Sequence, residues 1–109
     1  MNTSSPLAEP IVVAVEMPAT GTRSVQFWAK TDHPGRKTDH WEDVVTIDAR
    51  KDAVPALHIK QDCPEEWLAT AWGAYLLVRE GGLPEATHSI AWGRDADGYT
   101  SPTFTEVSR

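Results

Sequence analysis

The segment Asp62–Gly82, DCPEEWLATAWGAYLLVREGG, constrains the fold most, because it carries a helix start, an apolar repeat and a helix stop in order. Asp62 with Glu65 three residues later fits a capping box. With Cys63 as the cap instead, Pro64 falls at the first helical position, where its missing N–H costs nothing. Glu65 and Glu66 suit the positive end of the helix dipole and Arg79 the negative end. Apolar residues recur at 67, 68, 71, 72, 75 and 76, a spacing that gathers them into one stripe. Trp67, Leu68, Trp72, Tyr75 and Leu76 make that stripe bulky, and core packing is its expected role. Gly81 and Gly82 supply a left-handed stop, and Pro84 bars resumption. Gly73 costs about 1 kcal/mol relative to alanine inside a helix; it is read as a close approach to a strand.

The remaining chain reads as strands that need such a helix to cover them. Residues 1–10 hold Pro6 and Pro10 and no periodicity, so a mobile tail is expected, followed by a single domain over 11–109. Ile11–Met17 is apolar and β-branched. The turn residues PATGT then lead to SVQFWAK at 24–30, where Val25, Phe27 and Ala29 alternate with Gln26, Trp28 and Lys30. The first set is expected to face the core, which leaves Trp28 on the other face. Residues 31–43 form a polar loop broken by Pro34-Gly35. A third strand runs to Ala49 with Trp41, Val45 and Ile47 on one face. ALHIK at 56–60 reads as a short strand that Pro55 confines to an edge or to its own start. After the helix, THSIAWGR and YTSPTFTEV flank the turn signal Asp95-Ala96-Asp97-Gly98, with Pro102 arguing for an edge. The expected fold is α+β: an antiparallel sheet of five to six strands, in the order β-β-β-(β)-α-β-β, with one amphipathic helix packed across one face. The other face of the sheet is then solvated or covered by a partner.

Charge and cysteine usage exclude several functions. The 109 residues carry a net charge of −6, with no Lys/Arg stripe, so the electrostatic footprint of a nucleic-acid binder is missing. The helix holds more Glu than Lys or Arg, which argues against a membrane-surface helix, and no run is long enough to span a bilayer. The N-terminal MNTSSPLAEP lacks the pattern of a signal peptide, and one Cys forms no internal disulfide. A cytoplasmic protein is expected.

Few residues point to chemistry. Cys63 beside a helix N-terminus gains thiolate character, and His58 or His88 would be its base. Asp62, Glu65 and Glu66 oppose this by raising the thiol pKa, and no Gly-rich turn follows to build an oxyanion hole. His33 and His40, each preceded by Asp, lack the spacing and Cys content of a structural zinc site. The Asp95–Gly98 segment lacks the later acidic ligand of a calcium loop and is read as a hairpin turn. No phosphate-cradling glycine motif occurs. No catalytic residue, metal or cofactor is therefore assigned.

Five Trp residues are the compositional oddity. Trp67, Trp72 and Trp92 are explained most simply by the core, whereas Trp28 and Trp41 flank the polar loop, where exposed aromatic rings act as interface anchors. The expected function is a non-enzymatic protein-interaction domain of the inhibitor, immunity or accessory type found in bacteria. It would dock on another protein through the open sheet face and the 31–43 loop, with Trp28, His33, Arg36, Lys37, His40 and Trp41 in contact. Pairing with a second copy through the edge strand or open face is a further option. The alternatives are a small-ligand module with Trp67, Trp72, Trp92 and Tyr75 lining a pocket between helix and sheet, and an enzyme using Cys63.

Overall fold

The computed structural model describes residues 10–31, 34–35 and 40–107. It contains β1 (Ile11–Met17), β2 (Thr22–Thr31), β3 (His40–Ala49), β4 (Ala56–Ile59), a 3-10 turn (Glu65–Trp67), α1 (Leu68–Arg79), β5 (His88–Arg94) and β6 (Thr100–Glu106). The α+β class, the element order and the helix on an antiparallel sheet are as the sequence indicates. The strands divide into a four-stranded sheet ordered β1-β2-β3-β4 and a two-stranded β5-β6 hairpin. All pairings are antiparallel. Most of the tail expected over 1–10 lies outside the described residues.

Register explains which side chains meet. Val12 and Ala14 lie opposite Phe27 and Val25, which lie opposite Val45 and Ile47, and Ile47 lies opposite Leu57. Cross-strand partners share a face, so these residues form one apolar surface. With Trp67, Ala71, Ala74 and Val78 they make the main core. A register shift beside Phe27 places Trp28 opposite Asp43 and leaves Val44 unmatched. The extra residue is a β-bulge, so Val44 and Val45 are both fully buried in the helix-side core. It also corrects the strict alternation that put Trp41 beside Val45 and Ile47. One added residue reverses every side chain beyond it, and Trp41 emerges on the Trp28 side.

That second side is not left to solvent. Phe104 of the hairpin meets Trp28 at 5.6 Å and Trp41 at 4.9 Å between ring centroids, and Trp92 meets Trp28 edge-on at 5.7 Å. Trp28 is only 5% exposed, and Val13 is buried on the same face. Thr87 fastens the hairpin to the β1 edge: its hydroxyl accepts from the Val12 N–H at 2.8 Å, and its own N–H donates to the Val12 carbonyl at 2.9 Å. The chain is therefore three-layered at its Trp28 end, with helix, sheet and hairpin stacked in turn.

The helix begins and ends near the expected residues, by different means at its start. Pro64, with φ −57° and ψ 134°, precedes the 3-10 turn, and no side chain caps it. Neither the Asp62–Glu65 capping box nor a Cys63 cap is thus formed, because the turn starts beyond both residues. The stop is as expected. Gly81 takes φ 97°, its N–H donates to the Val78 carbonyl, and the Gly82 N–H donates to the Leu77 carbonyl at 2.9 Å, a Schellman motif.

Candidate functional site

The side of the helix turned to the sheet differs from the bulky stripe in the sequence. The buried residues are Trp67, Ala71, Ala74 and Val78. Their spacing of four, three and four residues is one helical face, and small alanines at its centre bring the helix close to the sheet. Leu68, Trp72, Leu76 and Leu77 are consequently exposed, Trp72 by 53%. Trp72 stacks on the half-buried Tyr75 at 5.4 Å with 28° between the rings. Gly73 lies on this outer side, where a Cβ would meet nothing within 4 Å. The expected close approach of a strand there is not what the residue provides. From Trp67 to Val78 no residue is charged. Short of Arg79 only Thr70 interrupts the exposed apolar surface with a small polar side chain, a composition close to that of helices covered on all sides, yet one side faces outward.

Charged residues flank this apolar segment in the sequence. Asp62, Glu65 and Glu66 precede it and Glu80 follows it, all exposed, with Arg79 the single cation of the last turn. A contiguous apolar strip with a mainly acidic margin can seat apolar side chains of another molecule and attract cations around them.

Of the interface residues expected from the sequence, the described ones, Trp28, His40 and Trp41, lie away from this face. His33, Arg36 and Lys37 lie outside the described residues. Trp28, His40 and Trp41 do come together, lining an open cleft of about 300 Å³ where the hairpin meets the sheet, with Asp43, Lys60 and Trp92. Within it Trp28 is buried, and its indole N–H donates to Gln26 Oε1 at 3.1 Å. Trp41 and His40 are half-buried, and Trp92 is the exposed aromatic. Asp43 pairs with Lys60 at 2.8 Å, a hydrogen bond that holds the Lys60 ammonium above its ordinary range. Both partners are solvent-accessible, so the pair adds little stability. Glu42 Oε1 is buried without a hydrogen-bond partner among the described residues. Among the described residues, Trp28 thus packs against Trp92 and Phe104 of its own chain.

The residues of the other two readings are separated by the sheet. Trp67 is in the core and Trp72 points outward, while Trp92 lies across the sheet against Trp28, so the three share no pocket. Cys63 packs against the helix-side core. His58 alternates with the core residue Leu57 and so leaves β4 on the opposite face, and His88 is on the hairpin beside Phe104. Neither histidine reaches the thiol. Burial pushes the Cys63 thiol up; this desolvation, rather than the carboxylates nearby in sequence, is the cause. Asp95 Oδ1 accepts from the N–H groups of Asp97 and Tyr99 at 2.9 and 3.0 Å, which makes the Asp95–Gly98 segment a hairpin turn. Among the described residues no group of three or more His, Cys, Asp or Glu is placed to hold a metal. No described helix is long and apolar enough to cross a membrane. No protein-family model, curated protein or solved structure matches the chain.

The outer helix face was hidden in the sequence for a physical reason. A helix with apolar residues on every side has no polar face to mark which way it turns.

Proposed function

We propose that the chain is a non-enzymatic interaction domain that docks on another protein through the outer face of α1. The observation that carries this reading is the exposure of Leu68, Trp72, Leu76 and Leu77 on a helix whose other side is already buried. Removing such a surface from water is favourable at roughly 25 cal/mol per Å², and an exposed Trp is the residue type that anchors interfaces most often. The sheet face and the 31–43 loop are weaker supports, because Trp28 is buried.

The partner is a protein presenting apolar side chains ringed by Lys or Arg. Asp62, Glu65, Glu66 and Glu80 at the margin favour that chemistry, and a chain of net charge −6 steers a basic partner toward it. The same charge works against a second copy as the occupant, since two acidic margins would meet. One Cys and no basic stripe fit action in the cytoplasm, away from nucleic acid.

The test uses a photo-crosslinking residue at Ala69, on the outer side of the helix. A crosslinked protein recovered from the host is purified and titrated with the full chain at two salt concentrations. Direct binding that weakens with salt, and falls at least about ten-fold with Leu76→Asp, is the expected outcome. Equal binding by the variant would move the contact off the helix. A concentration-dependent doubling of mass that Leu76→Asp abolishes would make the occupant a second copy.

A further inference from the structure

Away from the helix face, the chain gathers positive charge at one point. Arg23, Arg50, Lys51 and Arg79 line a single open cleft of about 440 Å³, with Asp52 as its one carboxylate. They are four of the ten Lys and Arg residues in an acidic chain. Three pieces of backbone bring them together: the start of β2, the loop between β3 and β4, and the end of α1. Gly21 has φ 68°, and a Cβ there would lie 3.0 Å from the Lys51 Cβ, so the turn presses directly on the stem of that lysine.

Part of this charge serves the helix. Arg23 Nη1 donates to the Val78 carbonyl at 3.0 Å and to the Gly82 carbonyl at 2.7 Å, and Arg79 lies in the last turn. The negative end of a helix is worth about half a charge. With Asp52 in the lining and Glu16 opposite Arg23 on β1, it leaves roughly one to two positive charges uncompensated. Among the described residues, Arg50, Lys51 and Arg79 form no ion pair. Like charges held together raise one another's energy, and a concave site focuses their field on an incoming anion.

We propose that this cleft binds a small polyvalent oxyanion, a phosphate-bearing ligand. A dianionic phosphate group matches the excess charge, and guanidinium forks with an ammonium are the groups that hold phosphate best. The site is separate from the outer face of α1 and stands whether or not that face docks a protein.

Inorganic pyrophosphate and inorganic phosphate serve as probes of the full chain, against sodium chloride at matched ionic strength. Saturable shifts of the Arg50, Lys51 and Arg79 amide resonances are expected, with pyrophosphate binding more tightly than phosphate. Arg50→Gln with Lys51→Gln should weaken pyrophosphate binding by about ten-fold or more, and Arg50→Lys with Lys51→Arg should largely retain it. Both residues are exposed, so the variants keep the fold, as their unfolding midpoints will show. Shifts that follow ionic strength alone, or a double Gln variant that binds as wild type does, would overturn the proposal.

Discussion

Trp28 and Trp72 carry the same side chain to opposite fates. Trp28 is enclosed by Trp92 and Phe104, whereas Trp72 stacks, among the described residues, on Tyr75 alone. Truncating a buried aromatic removes its transfer energy and leaves a cavity, so Trp28→Ala should cost about 3–5 kcal/mol in urea unfolding. A loss below 1 kcal/mol would mean that the hairpin does not cover this face. The sequence correctly placed Trp28 opposite Val25 and Phe27. It did not reveal the cover, because nothing in THSIAWGR states which surface its aromatic residue will meet. Cys63 offers a second check at this scale. Its raised pKa lowers the thiolate fraction at neutral pH. Alkylation at pH 7.5 should therefore be slower than that of a free thiol and should accelerate toward high pH, while a faster rate would restore the nucleophile reading.

Among the elements, boundaries were more legible than faces. Gly81 and Gly82 announce the end of α1 because only glycine takes the left-handed conformation there without penalty. Gly81→Ala forces an L side chain to φ 97° and should lower stability by about 1–2 kcal/mol, read from the shift in unfolding midpoint. An unchanged midpoint would show that the Schellman turn contributes nothing. The bulge at Val44 left no such mark. A Val-Val pair suits a regular strand and a bulged one equally, and so the turn of Trp41 to the second face was not readable. The helix start misled for a related reason: Asp62 and Glu65 have the spacing of a capping box, but Pro64 opens a 3-10 turn beyond Asp62.

At the scale of the whole molecule, the order of elements was legible because each strand has its own alternation and each turn its own residues. The division into four strands and two was not. It depends on Thr87 meeting Val12 across 75 residues of chain, a contact with no local signature. The orientation of the helix was equally hidden, and it decides where the molecule can act. With Ala71 and Ala74 inward, the bulky residues are free to meet a partner; with Trp72 and Leu76 inward, they would be spent on the core. Urea unfolding of Trp72→Glu separates these arrangements most directly. Outward placement gives a midpoint within about 1 kcal/mol of wild type, since an exposed side chain leaves no cavity and no buried charge. A loss of about 3 kcal/mol or more, the cost of burying a carboxylate in place of a core aromatic, would contradict the outer face of α1 as the docking surface we propose.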